Sequence, residues 1–273
     1  MSSIFQELVS SSFTRVLPLL ATSNFALYSV SLATGVVTWV DFGWVLNHSI
    51  AGVYYFYINK GHSSMEAKFY MGLLLFWSAR LGFHLLKRCV SGHNDPRYTL
   101  ISNRWNLRKS VLNLIQFEFQ AFLTVLTSIS LFFLFKNLPA TDVLALSAKN
   151  IAGVAIVGMG IIGQWIADHQ LENFKKNPKK DEEKDKPLCK EGVWKYSRHP
   201  NLFFEFCVWT GFGILAIKPS QPQSYLALVG AGFLYLIVDL LSTRITEKHM
   251  SSSRPNWKEH KAKTNKYFPF FKL

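Results

Sequence analysis

Residues 148–168 read Ala-Lys-Asn-Ile-Ala-Gly-Val-Ala-Ile-Val-Gly-Met-Gly-Ile-Ile-Gly-Gln-Trp-Ile-Ala-Asp. Between Asn150 and Asp168 the stretch carries no charge. A helix of roughly 20 such residues crosses the ~30 Å hydrocarbon core of a bilayer. Six further stretches read the same way, at about 21–40, 42–58, 67–87, 113–135, 200–218 and 224–243. Pro139, Pro200, Pro219 and Pro222 punctuate their ends, as helix boundaries should be punctuated. The expected fold is therefore all-α: a polytopic membrane helix bundle of about seven transmembrane helices.

Composition supports that reading. Only 17% of the 273 residues are charged, while 49% are hydrophobic and 15% aromatic. A soluble domain carries about 25% charged residues. Mean hydropathy of +0.13 is nevertheless modest for a chain lying wholly in lipid, so substantial polar loops are expected. Disordered, collagen-like and secreted disulfide classes are excluded. The three cysteines, Cys89, Cys189 and Cys207, form no CxxC pair. Neither a disulfide framework nor a metal site is expected. No basic segment precedes a short apolar core at the N-terminus, so no cleaved leader is expected.

The charge of +13 has a location. Of the 30 Lys and Arg residues, six lie in 87–112, nine in 172–199 and eight from Arg244 onward. In a seven-span path these three segments share one face, which the positive-inside bias makes cytosolic. The run Lys175–Lys186 mixes both signs around Pro178 and reads as a solvated loop. Without interleaved aromatics it does not read as a nucleic-acid patch.

Ionisable residues inside apolar spans are costly and mark interiors or sites. Arg80, His84 and Lys87 form a polar stripe on the third stretch, and Glu118 lies in the fourth. Gln164, Asp168 and Glu172 share one face of the fifth, where Asp168 either caps the span or serves a site. The densest cluster is Tyr196-Ser-Arg-His-Pro-Asn201, followed by Glu205 and Trp209. Pro200 suits the first turn of a helix. Asn201, Glu205 and Trp209 then fall on one face, with Arg198 and His199 at the mouth. A helix N-terminus with an arginine suits a phosphate. Glu205 needs a partner there, either a cation such as Arg244 or a ligand's donors. The tail, from Arg254-Pro-Asn-Trp257 to Lys266-Tyr-Phe-Pro269, reads as an interfacial anchor or as a cover over a nucleotide.

Taken together, these residues resemble the DUF1295 branch of membrane proteins with a steroid 5-alpha-reductase C-terminal domain. Gly192-Val-Trp-Lys-Tyr-Ser-Arg-His-Pro-Asn201 carries the resemblance most strongly. Asp41-Phe-Gly-Trp44, Asp95-Pro-Arg-Tyr98, Ala167-Asp-His-Gln170 and Arg244-Ile-Thr-Glu247 extend it. It spans residues 36–270, leaving 1–35 as an N-terminal segment with the first membrane helix. The resemblance implies an NADPH-dependent reductase of an activated carbon–carbon double bond in a lipid or steroid-like enone. The nucleotide would sit in a C-terminal cytosolic pocket and the substrate would enter from the bilayer. It assigns Asn201 and Glu205 to the nicotinamide end. Arg198, Arg244, Asp168, Arg97, Tyr98 and Glu247 would line the rest of the site, and His199 belongs to the motif. The catalytic acid is open among Tyr98, Tyr54 and Tyr55.

Two departures stand out. The family reads Pro-Asn-Tyr-Phe-Gly-Glu where this chain has Leu202 and Phe204. A ring at 204 is expected to weaken or abolish cofactor binding if that face meets the nucleotide. Trp257 and His260 replace common tyrosines. Two alternatives therefore stand beside the reductase. One is an S-adenosylmethionine-dependent membrane methyltransferase acting on a lipid or prenylcysteine. The other is a non-catalytic lipid-binding or scaffold relative. The compartment is the endoplasmic reticulum in a eukaryote or the inner membrane in a bacterium.

Overall fold

The computed structural model of the chain describes residues 3–102, 108–136, 138–144, 147–176 and 188–269. Among them the regular structure is helical, with no strand. In order the helices are α1 (Ser3–Val9), α2 (Leu17–Thr34), α3 (Trp39–Ile58), α4 (Met65–Val90), α5 (Pro96–Ser102) and α6 (Lys109–Thr127). Then come α7 (Ile129–Lys136), α8 (Ala148–Lys176), α9 (Pro200–Ala216), α10 (Ala227–Ile237), α11 (Arg244–Ser253) and α12 (Trp257–Lys263). Wider π-helical turns at Ser10–Val16 and Val238–Thr243 join α1 to α2 and α10 to α11.

Six of the seven apolar stretches fall on helical segments, while the first, 21–40, runs past the end of α2, where Gly35 takes φ +69°, to the start of α3. Five helices are long and apolar enough to cross a membrane. They are Ile4–Thr34, Met65–Val90, Lys109–Lys136, Ala148–Lys176 and Pro222–Ser253. The protein is membrane-embedded on that ground. The count of seven is reached only if α3 and α9 also cross. Asp41, Asn47, His48 and Ser49 dilute α3. The 17 residues of α9 reach only ~26 Å at 1.5 Å per residue. On a five-crossing path, 91–108 and 177–221 would lie on one face and the tail on the other, which the bonds of Arg198 and His199 to the carbonyls of Asn265 and Lys266 oppose. The one-sided charge expected above therefore depends on α9 crossing, whereas α3 precedes all three segments and does not affect it.

The chain divides into two compact units, Met1–Ile151 with Phe212–Phe233, and Ala152–Gly211 with Leu234–Leu273. In the first, α3 packs on α2, α4 and α6. Its interior is partly polar. The Asn47 amide donates to Asn24 Oδ1 at 3.0 Å, and Asn24 donates to the Phe117 carbonyl. His48 Nε2 lies 2.8 Å from Thr127 Oγ1. Lipid offers no replacement partner, so such groups must pair within the bundle. Lys149 Nζ donates to the carbonyls of Leu215 and Ile217 at 2.9 and 2.8 Å, which satisfies the orphan acceptors at the end of α9.

In the second unit α8 and α9 approach closely through glycine. A Cβ on Gly160 would lie 2.8 Å from the Phe204 carbonyl, and one on Gly163 would lie 2.3 Å from the Phe204 ring. Small residues at such a crossing let backbones meet where no hydrophobic drive operates between helices in lipid.

Candidate functional site

The motif around Pro200 is built from the end of α8 upward. Gly192 has φ +56°, and a Cβ there would strike the Gln170 amide at 2.2 Å. The Gln170 carbonyl oxygen accepts from Val193 N–H at 3.0 Å, while the Trp194 indole donates to the Ala167 carbonyl at 2.9 Å. Glycine and tryptophan thus latch the loop onto α8, and Tyr196–His199 follow from that anchor.

Ser197, Arg198 and His199 then run beside the tail. Arg198 N–H donates to the Asn265 carbonyl at 2.8 Å, and His199 N–H to that of Lys266 at 3.1 Å. The Ser197 hydroxyl also donates to Lys266, at 3.1 Å. The Arg198 side chain is not presented to solvent. It donates to Glu247 Oε1 through Nε at 2.9 Å and Nη2 at 2.8 Å, and to the carbonyls of Lys261 and Thr264. Arg198 and Glu247 side chains are only 7% and 9% exposed. His199 Nε2 reaches the same oxygen at 3.3 Å, and Lys261 pairs with Oε2 at 3.0 Å. Burial pushes the His199 pKa down despite its bond to Glu247, and the Arg198 and Lys266 charges act in the same direction.

Tyr267 completes the attachment. Its hydroxyl lies 2.6 Å from Thr243 Oγ1 and donates to Asp239 Oδ1 at 3.0 Å. Both partners stand on the π-helical turn Val238–Thr243. Its ring meets Phe206 edge-on, with centroids 5.2 Å apart. Trp257 is buried, with the Arg198 guanidinium 6.0 Å from its ring centre. His260 is buried and lies 3.2 Å from Thr264 Oγ1. These two departures from the family pattern therefore hold the tail in place. Sequence reading named the tail but missed Lys261, Asp239 and Thr264 as its fasteners. An acid at 239, inside the last apolar stretch, was the available signal.

Glu205 lies a turn and a half into α9 and is buried. It accepts from the Gln164 amide at 2.7 Å and from the Trp209 indole at 2.9 Å. The expected partner, Arg244, is exposed at the start of α11. Two neutral donors, one from α8 and one a turn along, thus bond this buried carboxyl. Gln164 Oε1 is buried and has no hydrogen-bond partner among the described residues. Asn201 and Asp168 are half-buried beside this group, one turn from Glu205 and from Gln164 respectively. The Phe204 ring is directed at Gly163 of α8, and Leu202 is half-buried.

The expected C-terminal pocket does not open beside Arg198, because Glu247 and tail carbonyls occupy that guanidinium. A surface depression of about 310 Å³ lies elsewhere in this unit, lined by Ser251, Ser252, Ser253, Arg254, Pro255 and Lys258.

Arg97 and Tyr98 belong to the first unit. Arg97 Nε and Nη2 donate to Asp95 at 2.9 and 3.0 Å, Nη2 pairs with Asp41 at 3.4 Å, and the Tyr98 hydroxyl donates to Asp41. Burial opposes ionisation of Asp95, but Arg97 and then Arg88 outweigh it and hold the carboxyl well below its usual range. Burial and the Asp41 charge push the Tyr98 phenol well up. The remaining tyrosines divide clearly. Tyr55 is fully buried with its hydroxyl 2.8 Å from Ser12 Oγ. The Tyr54 hydroxyl is buried without a hydrogen-bond partner among the described residues. Arg80 and His84 are half-buried on α4. Among the described residues no group of three or more His, Cys, Asp or Glu is placed to hold a metal. Part of the charged run 175–186 lies outside the described residues.

A family model described as a protein of unknown function (DUF1295) matches residues 27–265. No curated protein and no solved structure matches the chain.

Proposed function

Because the chain belongs to the DUF1295 family, and because its second unit buries a hydrogen-bonded carboxylate, we propose a membrane-embedded NADPH-dependent reductase. Its substrate is a lipid carrying a carbon–carbon double bond conjugated to a carbonyl, for which a steroid enone is the model. The buried Glu205–Gln164 pair, one turn from Asn201, carries the reading. Gln164 Oε1 supplies a buried acceptor with no hydrogen-bond partner among the described residues, next to the carboxyl of Glu205. An amide such as the nicotinamide carboxamide brings the donors that such a site needs.

The phosphate end is assigned differently from the sequence expectation. Arg198, His199 and Glu247 are spent on one another and act as positioning residues for the tail. The exposed cation Arg244, with Arg254 and Lys258 in the serine-lined depression, takes over the phosphate contacts. NADPH when bound supplies a hydride to the β carbon. The chain's own residues orient the carboxamide through Gln164, Glu205 and Asn201, and an acid polarises the enone carbonyl. Of the tyrosines expected as that acid, Tyr98 is committed to Asp41 and Tyr55 to Ser12.

Nucleotide binding by the purified protein in detergent tests this reading. Saturable NADPH binding that Glu205→Gln or Arg244→Ala weakens tenfold or more supports it. Binding of S-adenosylmethionine alone assigns a methyltransferase instead. Binding of neither assigns a lipid-binding scaffold, the reading that the spent Arg198 guanidinium favours.

A further inference from the structure

The first unit holds polar atoms that no element of the reductase reading uses. Asn47 on α3 is wholly buried, yet its Oδ1 has no hydrogen-bond partner among the described residues. Ser23 Oγ on α2 and both amide atoms of Gln116 on α6, residues that are half-buried, are likewise buried atoms without a hydrogen-bond partner among the described residues. These positions are brought to one level of the bundle. Asn47 is bonded to Asn24, the chain neighbour of Ser23, and Asn24 to the carbonyl of Phe117, the neighbour of Gln116. The three helices pack on one another.

Leaving a buried polar atom unpaired costs about 1–3 kcal/mol, and in hydrocarbon water is not at hand to relieve it. Four such atoms at one level call for a group that both donates and accepts. The set comprises two amide oxygens, one amide N–H₂ and one hydroxyl, all neutral. A charged headgroup would stay uncompensated among them. A hydroxyl donates to Asn47 Oδ1 or Gln116 Oε1 and accepts from Gln116 Nε2.

We propose that Ser23, Asn47 and Gln116 form a membrane-buried site for the hydroxyl end of a neutral lipid. The site goes beyond the nucleotide reading and does not depend on it. Tyr54 falls on the same face of α3, seven residues on, about 10 Å along the axis. A lipid seated by its hydroxyl would therefore extend along α3 toward that phenol.

The test uses the whole protein without nucleotide. Native mass spectrometry in detergent compares cholesterol, dioleoylglycerol and oleyl alcohol with the acetate ester of each. At least one alcohol should bind about tenfold more tightly than its own acetate, a hydrogen bond's worth. Asn47→Leu and Gln116→Met should each abolish the preference, and Ser23→Ala should reduce it. A diazirine-bearing oleyl alcohol should label α2, α3 or α6 of the unaltered protein, so the result does not hang on the variants folding. No preference for any alcohol, as expected if the amides hold only water, overturns the site. So does a preference that survives both amide substitutions, or labelling confined to other helices. Failure of NADPH binding would leave these outcomes unchanged.

Discussion

Glu247→Gln is the substitution whose consequence is most directly computed from the geometry. One carboxylate receives Arg198 twice, His199 once and Lys261 once, at 2.8 to 3.3 Å. Glutamine keeps an oxygen in place but removes the charge. Arg198, 7% exposed, is then left as a buried cation with only carbonyl partners. Breaking one side of a buried pair costs about 3–5 kcal/mol, and the retained carbonyl bonds argue for the low end, about 3. That cost falls on the attachment of 257–268, because Arg198 donates to Lys261 and Thr264 and its backbone to Asn265. Opening of the tail should therefore become about a hundredfold more frequent. Trypsin at Lys261, Lys263 and Lys266 reports it, in the regime where cleavage follows the open population. Lys261→Met is the control. That side chain is 54% exposed, so losing its pair should cost below about 1 kcal/mol. Removing both charges in Arg198→Met with Glu247→Met should recover much of the protection, since no buried charge is then stranded. Tail cleavage in Glu247→Gln no faster than in the unaltered protein would refute the account.

Other outcomes follow from the same contacts. Gly163→Ala places a Cβ 2.3 Å from the Phe204 ring and should destabilise by about 1–3 kcal/mol. Adding Phe204→Gly should restore the melting temperature in detergent. Burial, with Lys190 and Arg198 nearby, lowers the His260 pKa to about 4. The native state thus binds fewer protons than the unfolded one between pH ~6.5 and ~4, and stability falls as pH drops through that window. Acidification from pH 7 to 5 should cost about 2 kcal/mol in melting experiments, and His260→Phe should flatten the slope. Single cysteines introduced at Lys184 and Lys258 should label from the same face of sealed vesicles if α9 crosses the bilayer. Labelling from opposite faces would show that α9 does not cross and would refute the attachment of the tail to Arg198 and His199.

Some of this molecule was legible in its residue order. The apolar run 148–168 announces α8 because lipid demands length and low polarity and little else. Pro200 marks the start of α9, and the spacing of Asn201, Glu205 and Trp209 puts them on one face, as the indole bond to Glu205 bears out. Gln164 was visible as a polar residue in an apolar run. Its partner was not, since 41 residues and a loop separate it from Glu205. The same holds for the spending of Arg198 on Glu247, 49 residues away. Which tyrosine keeps an uncommitted hydroxyl depends on Ser12 and Asp41, residues 43 and 57 positions from theirs.

The sequence by itself thus determined membrane residence, helix placement and the family motif. These rest on composition and on periods of a few residues. Only the tertiary structure decided which polar groups are satisfied and which wait for a partner. Hydrogen bonds act over about 3 Å, and which atoms come within that reach is a property of packed helices, not of their order in the chain.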